Sequence, residues 1–256
     1  MKNKIYSLII SLIFCLNVQA VGFFNFEKAE EAYTAGEYET ALSIYNSALE
    51  MGYESADLYY NVANCHYRKG ELAASILNYE RALKLDPSHE DAKHNLAFAA
   101  AKTVDNINVI GNIFLVNWWN AICNIASADT WAMVSIVLFV ITLVALSFYI
   151  FSRKIWVRKF GFSVSIIALF FTIISLFSAN TRYNVETSKS QAIVFAQTVT
   201  IKSSPDSSGN DLFILHEGTK VNIINNTGSF PTRNWQESYY EQADDTSGET
   251  LRDTYL

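Results

Sequence analysis

The sequence predicts a mainly α-helical protein, in which a short array of helical repeats is followed by two long apolar helices and a small β segment. Three observations predict this organisation. Residues match one another at a spacing of 34 within residues 22–102, uncharged apolar stretches span residues 131–151 and 160–179, and a period-two pattern begins at residue 191. Charged residues make up 17% of the chain, below the roughly one quarter that is usual in globular domains, which favours a membrane protein.

The N-terminus has the three regions of a secretory signal peptide. Lys2 and Lys4 precede an apolar run over residues 5–16, and a small-x-small ending follows at residues 18–20. This order predicts a signal peptide over residues 1–20, which would deliver the following part of the chain to the outer side of the membrane. The alternative is that the same run is retained as a permanent N-terminal anchor.

Residues 21–102 contain an internal repeat. The recurring pairs, 34 residues apart, are Ala29 and Ala63, Tyr33 and Tyr67, Gly36 and Gly70, Tyr45 and Tyr79, and Ala48 and Ala82. A period of 34 residues is typical of the tetratricopeptide repeat, a helix–turn–helix unit, and the second repeat, which ends at residue 87, resembles that family most closely. The segment is therefore identified as two and a half tetratricopeptide repeats with five helices, the last of which caps the stack. The alternative is a generic helical bundle whose alanines are simply good helix formers.

Each recurring residue type has a physical role in stacked helices. Alanine lets two helix axes approach closely, and glycine ends the first helix of each pair in a left-handed conformation. Tyrosine fills the volume between neighbouring pairs, and proline stops the second helix because it cannot continue it. The residues that we expect to pack the repeats are Ala29, Gly36, Ala41, Tyr45, Ala48, Ala63, Gly70, Tyr79, Ala82 and Pro87.

The apolar stretches at residues 131–151 and 160–179 are long enough to span a bilayer as transmembrane helices. At ~1.5 Å per residue, helices of this length cover roughly the ~30 Å hydrocarbon core. The loop between them, residues 152–159, contains four basic residues and no acidic one. By the positive-inside rule this loop is cytoplasmic. We therefore expect a protein of the bacterial inner membrane whose repeats and C-terminus face the periplasm.

Residues 107–126 carry no charge and contain the pair Trp118 and Trp119. Tryptophan favours the headgroup level of a bilayer, so we expect an interfacial helix that lies on the outer leaflet. It would end before Asp129 and Thr130, which we expect to cap the first spanning helix. The alternative is a buried helix that packs on the repeat array.

Short β-branched segments between clusters of turn residues predict strands from residue 191 onwards. Residues 199–205 and 215–221 resemble two strands from the front half of a bacterial SH3-like domain. The strands that close the barrel in that family are not recognisable in this sequence. We therefore expect an incomplete SH3-like β segment over residues 188–228, followed by a largely disordered polar tail over residues 229–256.

The order of these parts resembles the BatE family of aerotolerance-operon proteins over residues 1–228. That order is a signal peptide, tetratricopeptide repeats, an aromatic juxtamembrane stretch, two spanning helices with a basic loop, and an SH3-like segment. The resemblance implies a scaffold that works beside membrane proteins with von Willebrand A domains and a MoxR-type ATPase. It also implies a role in oxidative or envelope stress.

The sequence offers no constellation of residues for catalysis or for binding a metal or cofactor, so we do not expect an enzyme. Cys65 and His66 are adjacent, and adjacent residues on a helix point about 100° apart, so this pair is expected to pack rather than react. The chain has no CxxC motif and no glycine-rich phosphate loop. Its net charge is −6 and its repeats lack a basic stripe, so nucleic-acid binding is not expected. The sequence leaves open whether Cys65 and Cys123 form a disulfide.

Two classes of function are consistent with these features. The first is a protein-binding scaffold, and the second is a cell-wall or ligand-binding anchor that acts through the SH3-like segment. We favour the scaffold because the SH3-like segment lacks its closing strands. The expected partners are other membrane or periplasmic proteins, and the resemblance to BatE suggests von Willebrand A domain proteins of the same operon.

A groove for such a partner is expected on the concave face of the array, which the first helices of successive repeats line. The residues expected in this groove are Tyr33, Tyr60, Asn64, Tyr67 and Arg68. Tyr60 stands where relatives that grip acidic peptide ends have a lysine, so we expect an extended segment or a helix as the ligand rather than a clamped carboxylate. The alternative is that these tyrosines only pack between neighbouring helices.

Overall fold

The computed structural model describes residues 26–105, 113–203 and 209–223, together with the backbone of Thr254–Tyr255. The predicted signal peptide and most of the polar tail lie outside the described residues. Within the described residues the protein is mainly helical, with eight helices and a small amount of β structure. The predicted fold class is confirmed at this level.

The repeat array consists of α1 (Glu27–Thr34), α2 (Tyr38–Glu50), α3 (Ala56–Lys69), α4 (Leu72–Leu85) and α5 (Glu90–Ala100). Each of these helices packs against the next one along the chain. Gly36 and Gly70 have φ values of 82° and 84° at the turns within the two repeats, a left-handed conformation that glycine adopts without the steric cost of a side chain. Helix α4 ends at Leu85, just before Asp86 and Pro87, because proline cannot continue it.

Alanine occupies the closest contacts between the array helices. The alanines without exposed surface include Ala29, Ala41, Ala48, Ala63 and Ala82. Their small side chains let neighbouring helix axes approach, and larger residues fill the space on either side. One apolar core surrounds Leu42 and Tyr45 between α1, α2 and α3, and a second surrounds Ile76 and Tyr79 between α3, α4 and α5.

Helix α6 (Phe114–Cys123) occupies the middle of the predicted interfacial segment. Phe114 and Trp118 are 78% and 61% exposed, so this helix is not buried on the array. Its C-terminal end contacts the next helix along the chain, because the indole N–H of Trp131 donates a hydrogen bond of 3.1 Å to the carbonyl of Cys123.

The two long apolar helices are α7 (Ala128–Phe151) and α8 (Ile155–Thr187). They pack along one another as a hairpin with a short connection at residues 152–154. Helix α8 extends beyond the predicted span at both ends, so Arg158 and Lys159 lie within the helix rather than in a loop. The hydroxyl of Ser127 caps α7 by accepting a hydrogen bond from the Thr130 N–H, whereas Asp129 and Thr130 were expected to provide the cap. Because α7 begins earlier than the apolar stretch, both residues are inside its first turn.

Four short strands follow α8: β1 (Gln191–Ile193), β2 (Thr198–Lys202), β3 (Asp211–His216) and β4 (Lys220–Asn222). Strand β1 pairs antiparallel with β4, with Ala192 opposite Val221, and β2 pairs antiparallel with β3. The backbone of β5 (Thr254–Tyr255) pairs with the other edge of β1, so two residues of the tail are in a strand. The described strands form two small sheets, β4-β1-β5 and β2-β3, rather than one closed barrel.

Candidate functional site

Four of the five predicted groove residues lie along one face of α3. Tyr60, Asn64, Tyr67 and Arg68 follow one another at helical spacing, which places them on the same side of the helix. The first three are half-buried and Arg68 is exposed. Tyr33, the fifth residue, is half-buried at the end of α1 in the neighbouring repeat.

The N-terminal end of this face is closely hydrogen-bonded. Asn95 of α5 donates from Nδ2 to the Tyr60 hydroxyl at 3.2 Å and to the Asn64 Oδ1 at 3.0 Å. The same Oδ1 of Asn64 accepts a hydrogen bond of 2.6 Å from the hydroxyl of buried Tyr79. The ring of Tyr60 lies 6.0 Å from that of Tyr79 and 4.8 Å from that of His89. Tyr60 and Asn64 therefore hold the second and third units together, which is the packing role that the sequence left open.

The C-terminal end of the same face places cations beside aromatic rings. Arg68 donates from Nε to the Tyr33 hydroxyl at 3.4 Å. The ammonium of Lys102 lies 4.3 Å from the centre of the Tyr67 ring, within the range of a cation–π contact. Arg68 and Lys102 are both exposed. This end of the face can therefore offer two positive charges and tyrosine surface to a partner.

Three residues at or near α5 that contact this face were not selected from the sequence: His89, Asn95 and Lys102. Asn95 follows Asn61 by 34 residues, so the repeat period itself could have placed it on the first helix of the third unit. Lys102 follows the end of α5, where helical spacing no longer gives the direction of a side chain.

The side chains of Cys65 and His66 are buried within the array. Burial raises the pKa of Cys65 to about 11, so its thiol stays protonated at neutral pH and is a poor nucleophile. Burial also lowers the pKa of His66, whose ring Nδ1 contacts the carboxylate of Glu71. Lys69 joins the same cluster and reaches Glu39 of α2 at 2.9 Å. These contacts connect the turn of the second repeat to the first repeat and have a structural role.

Cys65 and Cys123, the pair whose disulfide the sequence left open, are not bonded to each other. Cys65 lies in the core of the array and Cys123 at the end of α6, and both are free and buried. Across residues 26–105, 113–203 and 209–223, no three His, Cys, Asp or Glu side chains gather as metal ligands.

The C-terminal strands pack on α4, whereas the predicted groove lies on α3. Ile193 of β1 is 1% exposed and joins the second core of the array beside Ile76 and Leu77. The ammonium of Lys220 pairs with the carboxylate of Glu80 at 2.7 Å. The face of β1 that carries Ile193 is therefore covered by the array and is not open to a cell-wall ligand.

Asp105 joins the end of the array to the turn between β3 and β4. Its carboxylate accepts hydrogen bonds from the N–H of His216 at 2.6 Å and from the hydroxyl of Thr219 at 2.7 Å, and it contacts the His216 ring Nδ1 at 2.7 Å. These hydrogen bonds, the one from the His216 backbone first, lower the pKa of Asp105 to about 2. Gly218 in the same turn fits so closely that an added Cβ would stand 2.8 Å from the side chain of Thr103.

The last turns of α8 also contact the array. Arg182 is 4% exposed, and it donates to the carbonyl of Lys84 at 2.8 Å and to the Asn124 side chain at 3.1 Å. Glu186 accepts a hydrogen bond of 3.0 Å from the N–H of Ala128. The array, α6 and the hairpin therefore meet at one polar junction, which fixes the position of the groove relative to the apolar helices.

Comparison with known families agrees with this architecture. Residues 26–90 match the tetratricopeptide repeat family, which covers helices α1 to α4. No solved structure matches the chain. Stacked repeats of this kind present extended concave surfaces that bind other proteins. The chain thus contains tetratricopeptide repeats, a module of protein–protein interaction, followed by two helices that are long and apolar enough to cross a membrane.

Proposed function

We propose that this protein is a membrane-anchored scaffold that binds other envelope proteins through the α3 face of its repeat array. The observation that carries the proposal is the exposed pair Arg68 and Lys102, which stand beside Tyr33 and Tyr67 on one face. Tyrosine supplies rigid contact area at low entropic cost, and a cation beside it forms charge-assisted hydrogen bonds. An extended or helical segment with acidic and amide side chains fits this surface.

The outward surface of the hairpin supports the membrane anchor. Helices α7 and α8 expose large apolar side chains along their length, including Val137, Val144, Phe162, Phe171 and Phe177. Each square ångström of such surface costs about 25 cal/mol in water, and monomeric soluble proteins rarely expose a contiguous patch of this kind. A bilayer core removes that cost.

The charges at the ends of the hairpin support a periplasmic array. The four basic residues of the predicted loop, from Arg153 to Lys159, are at the end where α7 meets α8. The array contacts the opposite end through Arg182. If the basic end is cytoplasmic, the array and its groove are on the periplasmic side of the inner membrane. The resemblance to BatE further suggests von Willebrand A domain proteins as partners and aerotolerance as the process.

The test replaces the exposed cations of the groove and keeps the hydrogen bonds from Asn95 to Tyr60 and Asn64. In Arg68→Ala/Lys102→Ala, we expect crosslinked partners recovered from native membranes to fall by about tenfold or more, because two charge-assisted contacts are lost. The matched control is Lys28→Ala/Lys93→Ala, which removes two exposed lysines from α1 and α5. Equal recovery from both variants would show that the partner binds elsewhere. Replacing Tyr60 or Asn64 is less informative because both hold α5 in place.

A further inference from the structure

A cavity of about 240 Å³ lies at the end of the hairpin where α7 meets α8. It is lined by Tyr149 of α7 and by Ile155, Arg158, Lys159 and Phe162 of α8. Two of these side chains, Tyr149 and Phe162, are aromatic, and two, Arg158 and Lys159, are cationic. The guanidinium of Arg158 lies 5.5 Å from the centre of the Tyr149 ring, so a cation–π contact holds it at the edge of the cavity.

The positive charge at this end has no acidic counterpart in the hairpin. Arg153 and Lys154 in the connection add to Arg158 and Lys159, and the sequence contains no acidic residue between Asp129 and Glu186. The latter two residues lie at the opposite ends of α7 and α8, roughly 35 Å away at ~1.5 Å per residue. The cavity therefore combines apolar walls with cations that have no acidic residue beside them in the described hairpin.

The cavity also lies at the level where the apolar surface of the hairpin ends. Phe151, Ile155 and Trp156 around the connection are 81%, 71% and 76% exposed. The ring of Trp156 stacks on that of Phe160 at 5.9 Å, and tryptophan favours the headgroup level of a bilayer. A ligand at this position meets hydrocarbon on one side and water on the other.

We propose that this cavity binds the headgroup of an anionic phospholipid of the inner leaflet, an inference that rests on the membrane topology of the proposed function. The lipid phosphate lies between Arg158 and Lys159, and the first part of an acyl chain lies against Tyr149 and Phe162. Charge selects an anionic lipid over a zwitterionic one, and the aromatic wall selects a lipid over a free phosphate.

The experiment uses the full chain in detergent micelles and measures bound lipid by native mass spectrometry. The probes are dioleoylphosphatidylglycerol and dioleoylphosphatidylcholine at equal concentration. We expect a preference of about tenfold for the anionic lipid, because each cation near a lipid surface favours it by a severalfold factor. We expect Arg158→Gln/Lys159→Gln to lose this preference. The matched variant Arg153→Gln/Lys154→Gln removes the same charge outside the cavity lining and should keep it within about twofold.

Three outcomes would overturn the proposal. One is an absence of preference in the unmodified chain, and another is an equal loss in the two double variants, which would mean diffuse attraction. The third is displacement of the lipid by millimolar glycerol 3-phosphate, which would identify a phosphate site instead. Extraction of membranes with alkaline carbonate separates this proposal from the anchor. If the chain stays in the membrane without a lipid preference, only the lipid site is contradicted, whereas release of the chain contradicts the anchor as well.

Discussion

The repeat array and the apolar hairpin are both made of packed helices, but they bury opposite kinds of side chain. The array buries large apolar residues between its helices, such as Leu58, Ile76 and Tyr79, with alanines at the closest contacts. The buried residues of α8 are instead small or polar: Gly161, Ser165, Ala168, Thr172, Ser175, Ser178 and Arg182. The large apolar residues of α8 point outwards.

This difference follows from the solvent that each region faces. In water, large apolar side chains are driven into contact with one another. Helices in lipid gain little by burying such side chains, and they associate through close approach of their backbones and through interhelical hydrogen bonds. Gly161 shows how close that approach is, because a Cβ there would stand 2.8 Å from the carbonyl oxygen of Ala145. Replacing the same type of residue should therefore change the stability of the two regions by different amounts. Mutations can test this expectation.

The largest expected difference in stability comes from truncating one aromatic side chain in each region. Tyr79→Ala should destabilise the array by ~3–5 kcal/mol, because it opens a cavity and removes a hydrogen bond to Asn64. Phe177→Ala, which truncates a 61% exposed ring of α8, should change the stability of the hairpin by less than ~1 kcal/mol. Local opening free energies from amide hydrogen exchange of the full chain in nanodiscs would measure both. Similar losses in the two variants would contradict the comparison.

The second prediction inserts bulk where the hairpin helices are closest. Gly161→Leu should separate α7 from α8 and cost ~1–3 kcal/mol, because its side chain meets the backbone of Ala145 and Tyr149 rather than a flexible side chain. Leu169→Ala is the control, since it removes volume from an exposed position of the same helix. Exchange of the α7 and α8 amides should rise only in the glycine variant. Unchanged protection there would mean that the hairpin tolerates separation.

The third prediction uses pH to distinguish the aqueous contacts from the hairpin. The carboxylate of Asp105 has a pKa lowered to about 2 from an ordinary value of 3.8, so its hydrogen bonds favour the docked β segment above about pH 4. That contribution is lost as the pH falls from about 4 towards 2. Exchange of residues 211–223, corrected for its intrinsic pH dependence, should therefore rise in this window. The apolar part of the α7–α8 contact, between Asp129 and Glu186, contains no acidic residue and should not respond.

Asp105→Asn is the matched variant for the pH experiment. It removes the charge but keeps the size of the side chain, so residues 211–223 should exchange faster at pH 7. The change between pH 4 and 2 should then be smaller than in the unmodified chain. An Asn variant with the same pH response would assign that response to another carboxylate.

The sequence predicted the helices better than it predicted the contacts between the parts. The period of 34 residues located five helices, and uncharged stretches located α7 and α8, because both signals are local and repeated. The ends of α8 were missed because hydropathy ends where the helix leaves the apolar region, while helical hydrogen bonding continues to Thr187. The early start of α7 was missed because Ser127 competes with Asp129 as a cap of similar strength.

The sequence predicted which positions form the candidate groove but not the hydrogen bonds that connect them. Helical spacing placed Tyr60, Asn64, Tyr67 and Arg68 on one face of α3, and the role of that face as a groove for a partner stays a prediction. Spacing could not show that Asn64 is already engaged by Tyr79 and Asn95, since these bonds depend on how α4 and α5 pack. The C-terminal strands dock on α4 through residues more than a hundred positions apart, such as Ile193 with Ile76 and Lys220 with Glu80, and no local sequence pattern predicts such contacts.

The smallest expected effect compares one substitution, Ser→Ala, in the two regions. In the array the hydroxyl of fully buried Ser75 donates to the carbonyl of Leu72 in its own helix at 2.8 Å. In the hairpin the hydroxyl of Ser175 donates to the carbonyl of Trp131 in the other helix, also at 2.8 Å. Only the second bond connects two elements.

Ser75→Ala should be neutral within ~0.5 kcal/mol, because a hydroxyl that bonds its own helix adds little to helix stability. Ser175→Ala should cost ~0.6 kcal/mol and at most ~1.7 kcal/mol, the range measured for hydrogen bonds between helices in membranes. The loss is small because the Trp131 carbonyl keeps its place in the helical ladder of α7 and is not left without a donor. Exchange of the α4 and α7 amides in one full-chain preparation gives both values on one scale. A larger loss in Ser75→Ala than in Ser175→Ala would mean that the array, and not the hairpin, depends on its buried hydroxyls.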